Sequence, residues 1–311
     1  MTSVVRNSRF ARWLSATFIA AAFPMAAHAV VINYTFDSSF AGSGANGAAM
    51  EAAFGQAAAF IEANYSNPSS INLVVGYGSI DGSAMGSSSL GESLAYLYQS
   101  GYAKVRNALQ TLGTPGSGSL PQTGPSDLFA TTAEAKALGL IPNSTATDGY
   151  LGFSSTYVFD YTPSNGITVG SYDFFGVALH EITEAMGRLS LKDSNFPYPS
   201  VMDMYRYSSA SGDYFSLNGG ATPLAYFNGI SGYDLGDWAS SVGPNAFDAV
   251  NSSGHLLPFD PVDRQLVGAL GYVSTTQSVP EPSELPLFAI GLITLLALLQ
   301  RARAERGRRQ L

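Results

Sequence analysis

Asp173-Phe174-Phe175-Gly176-Val177-Ala178-Leu179-His180-Glu181-Ile182-Thr183-Glu184-Ala185-Met186-Gly187-Arg188-Leu189 is the stretch on which the reading of this chain turns. A helix is predicted over 173–189, with the apolar run Phe174–Leu179 burying it below its polar end. A spacing of four residues stacks His180 and Glu184 on one helical face, one turn apart. Imidazole nitrogen and carboxylate oxygen both bind Zn²⁺ at about 2.0–2.2 Å, so one helix can offer both ligands. Glu181 points to the side, where it can act as general base toward a metal-bound water. The segment differs by one residue from H-E-x-x-H, in which two histidines occupy these positions. Here the second is Glu184. The plain alternative is a surface helix with a Glu-rich turn.

Both ends of the chain carry addresses. Arg6, Arg9 and Arg12 precede an apolar run from Trp13 to Ala27, and Ala27-His28-Ala29 closes it with small residues. This order predicts a secretory signal peptide over 1–29, since the apolar run is short for a bilayer span. At the other end, Val279-Pro280-Glu281-Pro282-Ser283 is followed by apolar residues from Leu285 to Leu299, then Arg301, Arg303, Arg306, Arg308 and Arg309. An apolar stretch backed by arginines predicts a transmembrane segment with its basic end in the cytoplasm. The three parts over 279–311 resemble the PEP-CTERM sorting signal of Gram-negative bacteria. That resemblance implies an exosortase partner, which removes the tail and delivers the protein to the cell surface or extracellular matrix. Before processing, the C-terminal segment would make the membrane contact; a plain tail anchor is the alternative.

Between the addresses, residues 30–279 hold 7 Lys and Arg against 20 Asp and Glu, a formal charge of −13. So acidic a surface argues against nucleic-acid or anionic-membrane partners and for solubility outside the cell. It also leaves few cations for the carboxylates, which a bound divalent ion would relieve. With no cysteine in the chain, no disulfide supports it. Stability must come from burial, for which about 250 residues suffice.

Helices are predicted over Met50–Tyr65, Leu94–Leu112, Ala130–Leu138 and Asp263–Leu270 in addition to 173–189. Ser70–Gly76 is a β-branched run bounded by turn residues, hence a strand, and Asp148–Asp160 reads as a strand or hairpin. Gly116–Ser126 reads as a linker. Mixed elements before residue 190 and a loop-rich remainder predict an α+β fold, with lobes of about 30–189 and 190–272 around a cleft and a short linker over 273–278.

Further blocks extend the opening motif: Met202-Asp203-Met204-Tyr205-Arg206-Tyr207-Ser208, Tyr214 to Gly220, Leu224 to Asn228, Asp234-Leu235-Gly236-Asp237-Trp238, and Asp263 to Tyr272. Together with Gly176–Gly187 they resemble a bacterial family of secreted, PEP-CTERM-associated H-E-x-x-H zinc metalloproteases. The resemblance implies a zincin-like fold with the motif helix at the cleft, one divalent metal ion (zinc in the family), a protein or peptide substrate and endopeptidase activity. Family members place a histidine before the tryptophan as third ligand, where this chain has Asp237 before Trp238. Two positions thus change together from histidine to carboxylate. The implied set is His180, Glu184 and Asp237 on the metal, with Glu181 as the catalytic base.

Alternatives remain at single positions. Asp237 also fits a turn in which it caps its own backbone. His255 is the other histidine after the leader and would complete a two-histidine, one-glutamate set, or sit solvated in its Ser/Gly loop. Asp203 fits a turn beneath the metal. Arg188 either pairs with Glu184 or Asp203, holds a substrate carbonyl, or complements the helix C-terminus. Tyr205, Tyr207, Tyr214, Phe215, Tyr226 and Phe227 read as core more readily than as cleft lining. Two carboxylate ligands formally neutralise a divalent ion, so metal binding is better supported than hydrolysis. A non-catalytic structural or adhesive matrix protein on the same scaffold is the second functional reading.

Overall fold

The computed structural model describes residues 29–275. The leader up to residue 28 and the sorting signal at 279–311, with its transmembrane segment, lie outside the described residues. Among those described, no helix is long and apolar enough to cross a membrane.

The described chain is α+β. Its helices are α1 (Gly44–Asn64), α2 (Tyr102–Thr111), α3 (Thr132–Ala137), α4 (Phe174–Ala185) and α5 (Pro261–Ala269). Its strands are β1 (Val31–Phe36), β2 (Ser70–Tyr77), β3 (Ser79–Ile80), β4 (Ser83–Ala84), β5 (Gly91–Ala95), β6 (Leu97–Gly101), β7 (Asp127–Thr131), β8 (Gly149–Phe153), β9 (Phe159–Asp160), β10 (Tyr172–Asp173), β11 (Arg206–Ser209), β12 (Gly212–Phe215) and β13 (Ala225–Tyr226).

The principal sheet runs in the order β1-β2-β8-β5. Strands β1, β2 and β8 are parallel, and β5 adds antiparallel to β8, pairing Gly91 with Phe153 through to Ala95 with Gly149. Helix α1 makes the crossover between β1 and β2. It buries Met50, Ala53, Phe54, Ala57, Ala58 and Ile61. Those positions repeat at three and four residues, so a single apolar stripe meets the sheet and α4. Phe54, Phe153 and Phe174 stack edge to face in this layer, with ring centroids 5.9 and 4.9 Å apart. Full burial of one such ring contributes about 2–3 kcal/mol.

Buried residues from both predicted lobes, from Val30 to Tyr272, belong to one hydrophobic core. The long helix predicted at Leu94–Leu112 is corrected: β5 and β6 occupy its first half, and α2 begins only at Tyr102. Five backbone partners on β8 and five on β7 outweigh a weak local helix preference, which the tyrosines at 96 and 98 and Gly101 already undercut. Of the strand or hairpin predicted over Asp148–Asp160, the strand is found as β8, held between β2 and β5, while β9 pairs with β10 and no hairpin forms. Helix α3 starts later than predicted, at Thr132, where the Thr131 hydroxyl accepts the Glu134 amide and ends β7. The 116–126 segment is pinned rather than free. Its Ser117 and Leu120 are buried, and the Pro121 carbonyl accepts the Tyr102 hydroxyl at 2.6 Å.

Candidate metal centre

Asp173 starts the motif helix by accepting the Gly176 amide at 3.2 Å through one carboxylate oxygen. Its other oxygen accepts the Leu257 amide at 2.9 Å, tying the helix N-terminus to the C-terminal loops. Apolar side chains Phe174, Val177, Ala178, Leu179 and Ile182 are all buried, as the sequence requires. The polar end is therefore fixed in depth, and His180, Glu181 and Glu184 are themselves buried at 9, 5 and 8 % exposure. Each offers a ligand atom within 4.8 Å of the others, and the group could hold a metal ion.

The His180 ring is oriented by its Nδ1, which lies 2.8 Å from the Ala246 carbonyl. A carbonyl only accepts, so Nδ1 carries the hydrogen and Nε2 faces the site. Around Nε2 stand Glu184 Oε1 at 3.2 Å and Asp237 Oδ1 at 3.3 Å. Positive charge holds these groups together, from Arg188, which reaches both oxygens, and from a proton on the imidazole or a bound ion. Burial and Arg188 push the imidazole down, but Asp237 and Glu184 outweigh them and carry it up to about 10. The donor set of one imidazole and two carboxylates fits a divalent ion.

Asp237, the third predicted ligand, thus reaches the motif helix, and its side chain does not cap its own backbone. Asp234 does that work instead, accepting the Gly236 amide at 2.5 Å. Neighbouring Trp238 anchors the segment. It is fully buried, donates its amide to the Phe247 carbonyl, accepts the Ala249 amide, and donates Nε1–H to Asp263 on α5 at 2.8 Å. His255 is exposed in its loop. Asp203 accepts from Ser190, Leu191 and Ser200 and so closes a structural turn. Of the six aromatics, Tyr205, Tyr214, Phe215 and Phe227 are buried, as expected of core residues.

Arg188 is buried completely and reaches both carboxylates, Asp237 at 2.6 Å and Glu184 at 3.1 Å. Its route there is a helix stop. The Gly187 amide donates to the Glu184 carbonyl and the Arg188 amide to the Thr183 carbonyl, a Schellman turn with Gly187 at φ 116°. A Cβ on Gly187 would come within 2.7 Å of the buried Glu134 carboxyl. Gly187→Ala is therefore expected to lower stability by about 1–3 kcal/mol, read as a shifted midpoint in urea denaturation.

Three contributors escaped the sequence reading. The Ser93 hydroxyl donates to Glu184 Oε2 at 2.6 Å from β5. Gly91 lets β5 approach so closely that an added Cβ would meet Glu181 Oε1 at 2.3 Å. Ala246 supplies the carbonyl for His180, a backbone role with no side-chain signature. Glu184 is pushed up by burial, yet Arg188 and His180 prevail and hold it at about 2. Glu181 moves the other way: burial, then the charge of Glu184, raise it well above the usual carboxylate range. Its Oε2 is buried without a hydrogen-bond partner.

His180, Glu181, Glu184 and Asp237 lie along an open cleft of about 680 Å³, lined also by Ser88–Leu94, Gly232–Asp234 and Asp248–Asn251. The chain matches no protein-family model, no curated protein and no solved structure.

Proposed function

We propose that this protein is a metal-dependent endopeptidase with a zincin-like catalytic arrangement, secreted and then sorted to the cell surface through its C-terminal signal. The observation that carries the reading is Glu181, a buried carboxylate with one unpartnered oxygen, held beside His180, Glu184 and Asp237 on the wall of an open cleft. His180 Nε2, Glu184 and Asp237 would hold one divalent ion, zinc by the family resemblance. Such an ion, when bound, supplies an acidified water and polarises the scissile carbonyl.

The chain's own residues carry the proton traffic. Glu181, which lines the cleft beside the proposed ligands, takes a proton from the attacking water and returns it to the departing amine. Ser93 and Arg188 keep Glu184 turned toward the site, and the Ala246 carbonyl fixes the His180 tautomer. Strand β5 is the edge of its sheet and lines the cleft, so its outer backbone groups are placed to align an extended peptide. The acidic composition and the predicted leader and sorting signal suit work outside the cell.

One observation favours the second reading, a non-catalytic matrix protein on this scaffold: Arg188 already pairs with both carboxylates. Metal analysis of the purified protein alongside a protease assay separates the two. The endopeptidase reading expects one divalent ion per chain and peptide cleavage that stops on chelation. Metal without turnover would favour the structural protein, and no metal with unchanged folding would remove both.

A further inference from the structure

We infer that Arg188 is the resident counter-cation of this centre, holding Glu184 and Asp237 in place in the metal-free protein so that the site is formed before an ion arrives. Its guanidinium donates to Asp237 Oδ1 at 2.6 Å and to Glu184 Oε1 at 3.1 Å. Those are the same two oxygens that face His180 Nε2. Two further donors are used, Nη2 to the His180 carbonyl at 3.3 Å and Nε to the Thr183 hydroxyl at 3.2 Å. The face of the group lies 4.4 Å from the centre of the Phe247 ring. A cation serving only the helix dipole would stay solvated, whereas this one is fully buried. Burying it is costly unless it is paired, and the two carboxylates are equally costly without it.

Formal charge gives the arrangement a second consequence. Two carboxylates cancel a divalent ion, while a set of two histidines and one carboxylate leaves one positive charge. With Arg188 beside it, the site with His180, Glu184 and Asp237 keeps that same single positive charge. The guanidinium thus restores one of the two positive charges that the two histidine-to-carboxylate changes remove. This second consequence rests on the metal-dependent reading above; the role in the metal-free fold does not.

The test compares wild type, Arg188→Gln and the neutral triple variant Glu184→Gln/Arg188→Gln/Asp237→Asn. Thermal melting is followed in chelator and in saturating Zn²⁺ or Mn²⁺, with metal affinity measured by titration calorimetry. Wild type is expected to stay folded in chelator. Arg188→Gln in chelator is expected to melt roughly 6–20 °C lower, to recover on adding metal, and to bind it about tenfold more tightly once the neighbouring positive charge is gone. The triple variant, with no charge left to balance, is expected to melt near wild type in chelator. A merely structural arginine predicts the opposite sign for affinity, weaker metal binding in Arg188→Gln, and that result would overturn the inference. So would an Arg188→Gln melt unchanged in chelator, or a triple variant as unstable as the single one. If Arg188→Gln does not fold at all, a folded triple variant supports the inference and an unfolded one refutes it. Should none of the proteins bind metal, the metal-dependent reading falls, while the chelator melts still decide the role of Arg188.

Discussion

Glu181→Gln is expected to reduce peptide hydrolysis by about 10²–10⁴-fold while leaving metal content at the wild-type level. Glutamine keeps the size and position of the side chain but cannot take a proton from water. None of the three proposed ligands is changed, since Glu184 Oε1 and Asp237 Oδ1 lie 3.2 and 3.3 Å from His180 Nε2 without Glu181. Stability should hold or rise, because the substitution removes a buried carboxyl that Glu184 opposes. The loss is expected in kcat, with KM nearly constant, as for a group that acts in the transition state. Steady-state kinetics with metal analysis on the same preparation checks both halves. A variant that cleaves as fast as wild type would remove Glu181 from the mechanism.

Asp237→Asn is expected to abolish stoichiometric metal binding, and with it any hydrolysis, while His255→Asn changes neither. Asp237 is 5 % exposed and touches both His180 and Arg188, whereas His255 stands in solvent. The asparagine weakens a charged hydrogen bond to a buried guanidinium, a loss of about 1–3 kcal/mol in stability. Arg188 retains Glu184, so the fold should survive. Parallel metal titrations and urea midpoints of the two variants give the answer. The reverse pattern, metal lost from His255→Asn and kept in Asp237→Asn, would move the third ligand to the loop at 253–256.

The motif helix could be read from sequence because its information is local. An apolar run and His180 and Glu184 four residues apart need only helical periodicity to be understood. The strand predicted at Ser70–Gly76, found as β2, was legible for the same reason. Strand β5 was not. Gly91–Ala95 earns its conformation from β8, nearly sixty residues away, and its Ser93 and Gly91 matter only because α4 lies beneath them. The pairing of Asp237 with the motif helix had a sequence hint in the joint change of two positions. Its partner Arg188 had three competing roles in sequence, and only the turn at Gly187 selects among them, sending the side chain back under its own helix. The Ala246 carbonyl left no trace in sequence, since a backbone group carries no residue identity.

The central claim is that His180, Glu184 and Asp237 together hold one divalent ion beside Glu181. Anomalous diffraction from crystals of the protein grown with Zn²⁺ or Mn²⁺ tests it most directly. The account expects one strong peak per chain, at about 2.0–2.2 Å from His180 Nε2 and from an oxygen of each carboxylate, with Arg188 still against the far side of the pair. A clear peak elsewhere, or metal-saturated crystals with no peak in this cleft, would contradict it.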